Sequence, residues 1–94
     1  MAILVVAEVA GATAEQDAAM VKMLDLEGSP PAGNRIRMAG PTGGGRRIVG
    51  LWDSQADWER FRDDRLGPAL AGFGRVVPAV EIWPIDTVHT LGAR

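Results

Sequence analysis

Arg35-Ile36-Arg37-Met38-Ala39-Gly40-Pro41-Thr42-Gly43-Gly44-Gly45-Arg46-Arg47-Ile48-Val49-Gly50-Leu51-Trp52-Asp53 is the stretch that decides how this chain folds. Two segments rich in β-branched and apolar residues flank a break of proline and glycine, which is the signature of a β-hairpin. The glycines suit the positive φ angles that tight turns often need. With strands at Arg35 to Gly40 and Arg46 to Asp53 and a four-residue loop from Thr42 to Gly45, Met38 falls opposite Val49 and Ile36 opposite Leu51. That register places apolar side chains together, and a slip of one residue would send each to the wrong face. Arg37 then stands opposite Gly50.

Upstream, Ile3 to Val9 is a nearly continuous Val, Ile and Leu run, the pattern of a strand covered on both faces. Gly11-Ala12 breaks it. Thr13 precedes Gln16 by three residues, a capping-box spacing, so a helix is expected from about Ala14 to Leu26 with Met20, Val21, Met23 and Leu24 as its apolar stripe. The segment Gly28-Ser29-Pro30-Pro31-Ala32-Gly33 cannot continue it and reads as a loop.

Downstream, Ser54 with Asp57 three residues on caps a second helix, whose buried pair is Trp58 and Phe61. Glu59 with Arg62 and Arg60 with Asp64 are spaced to pair on its outer side. Gly67-Pro68 should end or kink it. A short helical turn from Ala69 to Gly72 leads to a last strand, Ala79 to Ile85, and the tail from Asp86 to Arg94 has little to pack against, so it is expected either to be mobile or to cross to a partner subunit.

The order strand, helix, strand, strand, helix, strand in 94 residues is the ferredoxin-like α+β arrangement. It implies one domain over 1-94, a four-stranded antiparallel sheet and both helices on one face. The other face is left bare, and an apolar face of that size is an association site. So short a chain buries only roughly 60 to 65% of its unfolded surface, which also favours a partner subunit. A homodimer is therefore expected.

Ten basic against twelve acidic side chains, a formal charge of -2, offer no general attraction to nucleic acid. The absence of cysteine excludes disulfides, thiolate metal sites and a cysteine nucleophile. One histidine leaves too few ligands for a catalytic metal, so no metal or cofactor is expected. No apolar run approaches the roughly 18 to 20 residues that cross a bilayer, and Glu8 interrupts the N-terminal run with no basic residue ahead of it. A cytoplasmic protein away from membranes is the expectation.

The strand Ile48-Val49-Gly50-Leu51-Trp52-Asp53-Ser54 leads into a helix containing Trp58-Glu59-Arg60-Phe61. Arg65-Leu66-Gly67-Pro68-Ala69-Leu70 and Val80-Glu81-Ile82-Trp83-Pro84-Ile85 follow. Together these segments resemble the dimeric α/β-barrel superfamily, in particular small antibiotic-biosynthesis-monooxygenase-like proteins and their uncharacterised relatives. The resemblance spans most of the chain and marks the fold rather than the activity. It implies a range of functions: cofactor-independent oxygenases, polyketide cyclases, isomerases, haem-degrading enzymes and plain ligand binders. No catalytic motif of that family carries over residue by residue.

Alternation along the hairpin puts Ile36, Met38, Val49 and Leu51 on one face and Arg35, Arg37, Ile48, Gly50 and Trp52 on the other. The helix stripes need an apolar bed, so the first face is expected under the helices and the second toward a dimer lumen. Glu8, on the same side of its strand as Leu4 and Val6, and Glu81, with Trp83 and Ile85, are expected to share that lumen. Arg37 would use the space above Gly50 and stack near Trp52. These residues define two readings. In the first, a cofactor-independent enzyme (monooxygenase, cyclase or isomerase) acts on an aromatic or polyketide-like substrate. Arg37 holds an enolate-like oxygen, Glu8, Glu81 or His89 moves a proton, and Arg35, Trp52, Trp58 and Trp83 bind the substrate. In the second, a noncatalytic dimer binds a small hydrophobic or aromatic ligand or serves as a structural unit. The charges then are strand-end ion pairs, the tryptophans belong to the core or interface, and His89 is a solvated tail residue.

Overall fold

The hairpin forms in the register its apolar residues demand. The structure, a computed structural model, describes residues 1–92. Strands β2 (Asn34–Thr42) and β3 (Gly45–Trp52) pair antiparallel, with Met38 opposite Val49, Ile36 opposite Leu51 and Arg37 opposite Gly50. The connection is tighter than the four-residue loop expected from sequence, because Thr42 and Gly45 pair with each other and leave only Gly43 and Gly44 between the strands. Neither of those glycines takes a positive φ. The constraint lies instead at Gly45, which crosses β1 (Ala2–Ala10) so closely that a Cβ there would stand 2.1 Å from the Val9 carbonyl oxygen.

β1 pairs antiparallel with β3 on one side and with β4 (Val80–Ile85) on the other, giving the sheet order β2-β3-β1-β4. This is the expected α+β ferredoxin-like βαββαβ topology with a four-stranded antiparallel sheet. Both edge strands carry a proline within their span, Pro41 in β2 and Pro84 in β4. Proline has no amide hydrogen to offer an added strand, so both edges are blunted.

Helix α1 (Ala14–Met23) starts on the capping box read from the sequence. The Gln16 amide donates to Thr13 Oγ1 at 3.2 Å, and the Thr13 amide donates to Gln16 Oε1 at 3.1 Å. It stops three residues before the expected Leu26, because Asp25 turns into the left-handed region at φ 51°. The Asp25 amide then donates to the Lys22 carbonyl and the Leu26 amide to the Val21 carbonyl, both at 3.1 Å. That pair of bonds is a Schellman closure with aspartate where glycine is usual. Along the helix, Leu24 at the C-cap is buried and Met20 half-buried, whereas Met23 is exposed. The helix therefore lies loosely over the sheet.

Helix α2 (Gln55–Phe61) is capped by Ser54, whose hydroxyl accepts from the Asp57 amide at 3.1 Å. Gly67-Pro68 neither ends nor sharply breaks the segment. A π-helical turn over Arg62–Leu66 intervenes, closed by the Gly67 amide donating to the Arg62 carbonyl, and α3 (Gly67–Ala71) follows. The wider turn places Pro68 at the start of a new α segment, where its missing donor costs little. The register change also reassigns the surface pairs: Arg60 meets Asp57 at 3.0 Å and Arg62 meets Asp63 at 2.8 Å, in place of Glu59 with Arg62 and Arg60 with Asp64. Hydrogen bonding to Arg62 holds the Asp63 carboxyl below its ordinary value.

The core joins sheet to helix α2. Ile3, Val5, Trp52 and Trp58 form it, with Phe61, Leu66 and Val80 packed around them. The indoles of Trp52 and Trp58 meet edge to face at 5.7 Å, and Trp52 lies 5.4 Å from the Phe61 ring. Such aromatic contacts add about 0.5–1.5 kcal/mol each beyond area burial.

This core reverses the face assignment expected from sequence. Trp52, Gly50, Ile48 and Arg37 lie on the side covered by the helices, whereas Ile36, Met38, Val49 and Leu51, the last of them buried, lie on the side away from the helices. The reason is Trp52: its large ring matches Trp58 and Phe61, and the alternation of β3 carries the rest of the face with it. Among the described residues, no helix is long and apolar enough to cross a membrane.

Candidate functional site

A cavity of about 220 Å³ lies between the sheet and the helices. The pleat of β1 and β3 supplies its floor, with Val5, Ala7, Val9, Ile48 and Gly50, and Trp52, Trp58, Phe61, Leu66 and Leu70 wall one end. It exists because α1 spans the sheet without a large buried side chain on its cavity side, where Met20 and Asp17 face the floor. Behind the wall, the Arg65 guanidinium donates to the Leu24 carbonyl and lies 5.7 Å over the Phe61 ring, tying the end of α1 to the π-helical turn.

The charged corner of the cavity is built on Asp17. Arg37 grips this carboxylate with both terminal nitrogens, Nη2 donating to Oδ1 at 2.6 Å and Nη1 to Oδ2 at 3.3 Å. Arg46 approaches from β3, with Nη2 3.9 Å from Asp17 Oδ2. The side chains of Asp17 and Arg46 are 13% and 14% exposed, so the cluster is largely withdrawn from water. Two guanidinium groups share one carboxylate, and Arg46 Nε is buried with no acceptor. Trp58 Nε1 is likewise buried with no acceptor.

The sequence-derived candidates separate into three groups. Arg37, Trp52 and Trp58 meet around the cavity. Glu8, Glu81 and Trp83 are on the opposite side of the sheet, as their pairing with Arg47, Val6 and Leu4 requires. Glu8 there accepts from Arg47 Nε at 2.9 Å. Arg35 and His89 are in neither place: Arg35 is exposed and salt-bridged to Asp53, and His89 is exposed in the segment after β4. The expected convergence of Arg37 with Glu8 and Glu81 is thus undone by the sheet itself.

Two local causes explain the displaced arginines. β2 bulges between Asn34 and Ile36, so Asn34 opposes Trp52 and Ile36 opposes Leu51 while Arg35 drops out of the alternation. The bulge admits Asn34 to the cavity side, where its amide donates to the Leu51 carbonyl at 3.1 Å, and ejects the Arg35 charge toward Asp53. Above Gly50 the space assigned to Arg37 is filled by Trp52, whose Nε1 would stand 2.8 Å from a Cβ at that position. Arg37 turns to Asp17 instead.

Sequence reading passed over Asp17, Arg46 and Asn34. Asp17 had a visible signal, since it precedes Met20 and Leu24 by three and seven residues and so lies on the apolar stripe of α1. Arg46 shares the face of Ile48, Gly50 and Trp52 by simple alternation. Asn34 had none, because a bulge cannot be seen in residue types alone. Among the described residues no group of three or more His, Asp or Glu stands close enough to hold a metal ion. No protein-family model, curated protein or solved structure matches this chain, so the site is read from its own geometry.

Proposed function

We propose that this protein binds a small, mostly apolar molecule in the cavity between its sheet and helices. The observation that carries this reading is a mostly apolar cavity between sheet and helices with a few polar side chains, Asp17, Arg37 and Arg46 among them, at one corner, the usual make-up of a ligand site. Its volume is below the about 300–1,000 Å³ of drug-sized sites, which favours a compact ligand. Binding is better supported than the cofactor-independent oxygenase, cyclase or isomerase chemistry that the dimeric α/β-barrel resemblance implies. Glu8, Glu81 and His89 do not line the cavity, and Asp17, the carboxylate that does, is engaged by two arginines.

The test uses N-phenyl-1-naphthylamine, a neutral apolar fluorophore. Its emission should rise and shift to the blue on titration with the protein, and Ala7→Phe, which fills the cavity floor, should abolish the response without changing the far-ultraviolet circular dichroism. A folded Ala7→Phe variant that binds the dye as the parent does would overturn the proposal.

The homodimer belongs to the same reading. The bare side of the sheet presents Leu4, Val6, Ile36, Met38, Val49 and Trp83, with Met38 and Trp83 each 54% exposed. A second copy is the occupant that fits. The blunted edges disfavour strand addition, and the rim carries both signs, Arg47 beside Glu8 and Glu81 across the sheet, so a two-fold axis can set base against acid. Sedimentation equilibrium at micromolar concentration should give twice the chain mass, and Met38→Glu with Trp83→Glu should give a folded monomer. A parent chain that sediments as a monomer would exclude this part of the proposal.

A further inference from the structure

We infer that the ligand of the sheet–helix cavity is a small apolar monoanion whose carboxylate is held by Arg46. The inference rests on the cavity being a binding site and adds the chemistry of what it binds. Arg37 spends two donors on Asp17 and settles that carboxylate. Arg46, at 3.9 Å, is beyond hydrogen-bond reach of it, and its Nε has no acceptor at all. The corner therefore holds one positive charge and one buried donor more than its own residues use. A largely buried guanidinium in that condition is costly, and the one protein acid it approaches, Asp17, is already gripped by Arg37.

One oxygen anion at the terminal nitrogens of Arg46 answers the excess of charge, while the Nε itself has no exposed surface. The planar guanidinium fork fits a carboxylate with two parallel bonds. A phosphate monoester would bring close to two charges, one more than the buried corner leaves open, and needs more hydration than the apolar walls supply. Arg75 also reaches the cavity wall, but it is exposed on the loop before β4 and so draws anions toward the mouth without becoming their buried partner. Trp58 packs on Trp52 at the far end of β3 from Arg46, so its free Nε1 is not part of the anion site. The apolar remainder of the ligand lies over Ala7 and Ile48 toward Leu66.

Matched acid and amide pairs test this: benzoate with benzamide, octanoate with octanamide, and 1-naphthoate with 1-naphthamide, each titrated calorimetrically, with inorganic phosphate as a further arm. At least one acid should bind about tenfold or more tighter than its amide, the worth of one charge-assisted contact. Arg46→Gln should bring that ratio near one, and Arg46→Lys should restore part of it. The acid-to-amide ratio of the parent protein carries the result even if Arg46→Gln fails to fold. Equal binding of acid and amide, or phosphate binding as tightly as any acid, would overturn the anion assignment while leaving the cavity reading intact. Failure of every pair to bind would overturn both.

Discussion

Three consecutive glycines, Gly43, Gly44 and Gly45, look interchangeable in the sequence and are not so in the structure. Gly43 and Gly44 have no heavy atom within 4 Å of a would-be Cβ and no positive φ, whereas at Gly45 the same atom would lie 2.1 Å from the Val9 carbonyl oxygen. Alanine at 43 or 44 should leave stability unchanged or raise it by about 0.4–1 kcal/mol through the unfolded chain. Alanine at 45 must push β1 and β3 apart, at about 1–3 kcal/mol by the measure of an overpacked core. Urea unfolding of the three single variants checks this, and similar midpoints for all three would refute it. At this scale the sequence was read correctly as glycine-dependent and wrongly as to cause, because close approach between strands distant in sequence leaves no mark on the residues that make the turn.

Elements were legible where a local rule governs them. The caps at Thr13 and Ser54 formed as their spacing dictated, since a cap needs only residues within one turn. The end of α1 was misplaced because its stop signal is an aspartate in a left-handed conformation, a role that residue type usually assigns to glycine. Asp25 also puts an acid at the negative end of the helix dipole. Asp25→Gly should therefore raise the melting temperature by a few degrees, corresponding to about 0.5–1 kcal/mol, and calorimetry would show it. A lowered melting temperature would mean that the Asp25 carboxylate, which sits against Gly28, holds the following loop. The turn over Arg62–Leu66 was hidden for a different reason: a proline announces trouble for a helix, and a π turn is one of several ways to absorb it.

For the whole molecule, pattern and register fixed the sheet but not its orientation. Both hairpin faces contain apolar residues, and alternation alone cannot tell which one meets the helices. The size of Trp52 against Trp58 and Phe61 settles it, a long-range match that only the folded chain displays. The candidate site was legible by half for the same reason: Arg37, Trp52 and Trp58 were selected, and the acids expected beside them went to the far side. The sheet consequently has two distinct surfaces, one flooring the cavity and the other turned away from the helices. Adjacent codons such as those for Val5 and Val6 address different surfaces, so mutation can alter one surface and leave the other alone. Loss of a codon is harsher, since it exchanges the two surfaces for every residue beyond it in the strand. The bulge at Arg35 is the exception: removing that residue would leave Asn34 opposite Trp52 and Ile36 opposite Leu51 in a straight strand. Position 35 is where β2 can shorten by one without trading inside for outside.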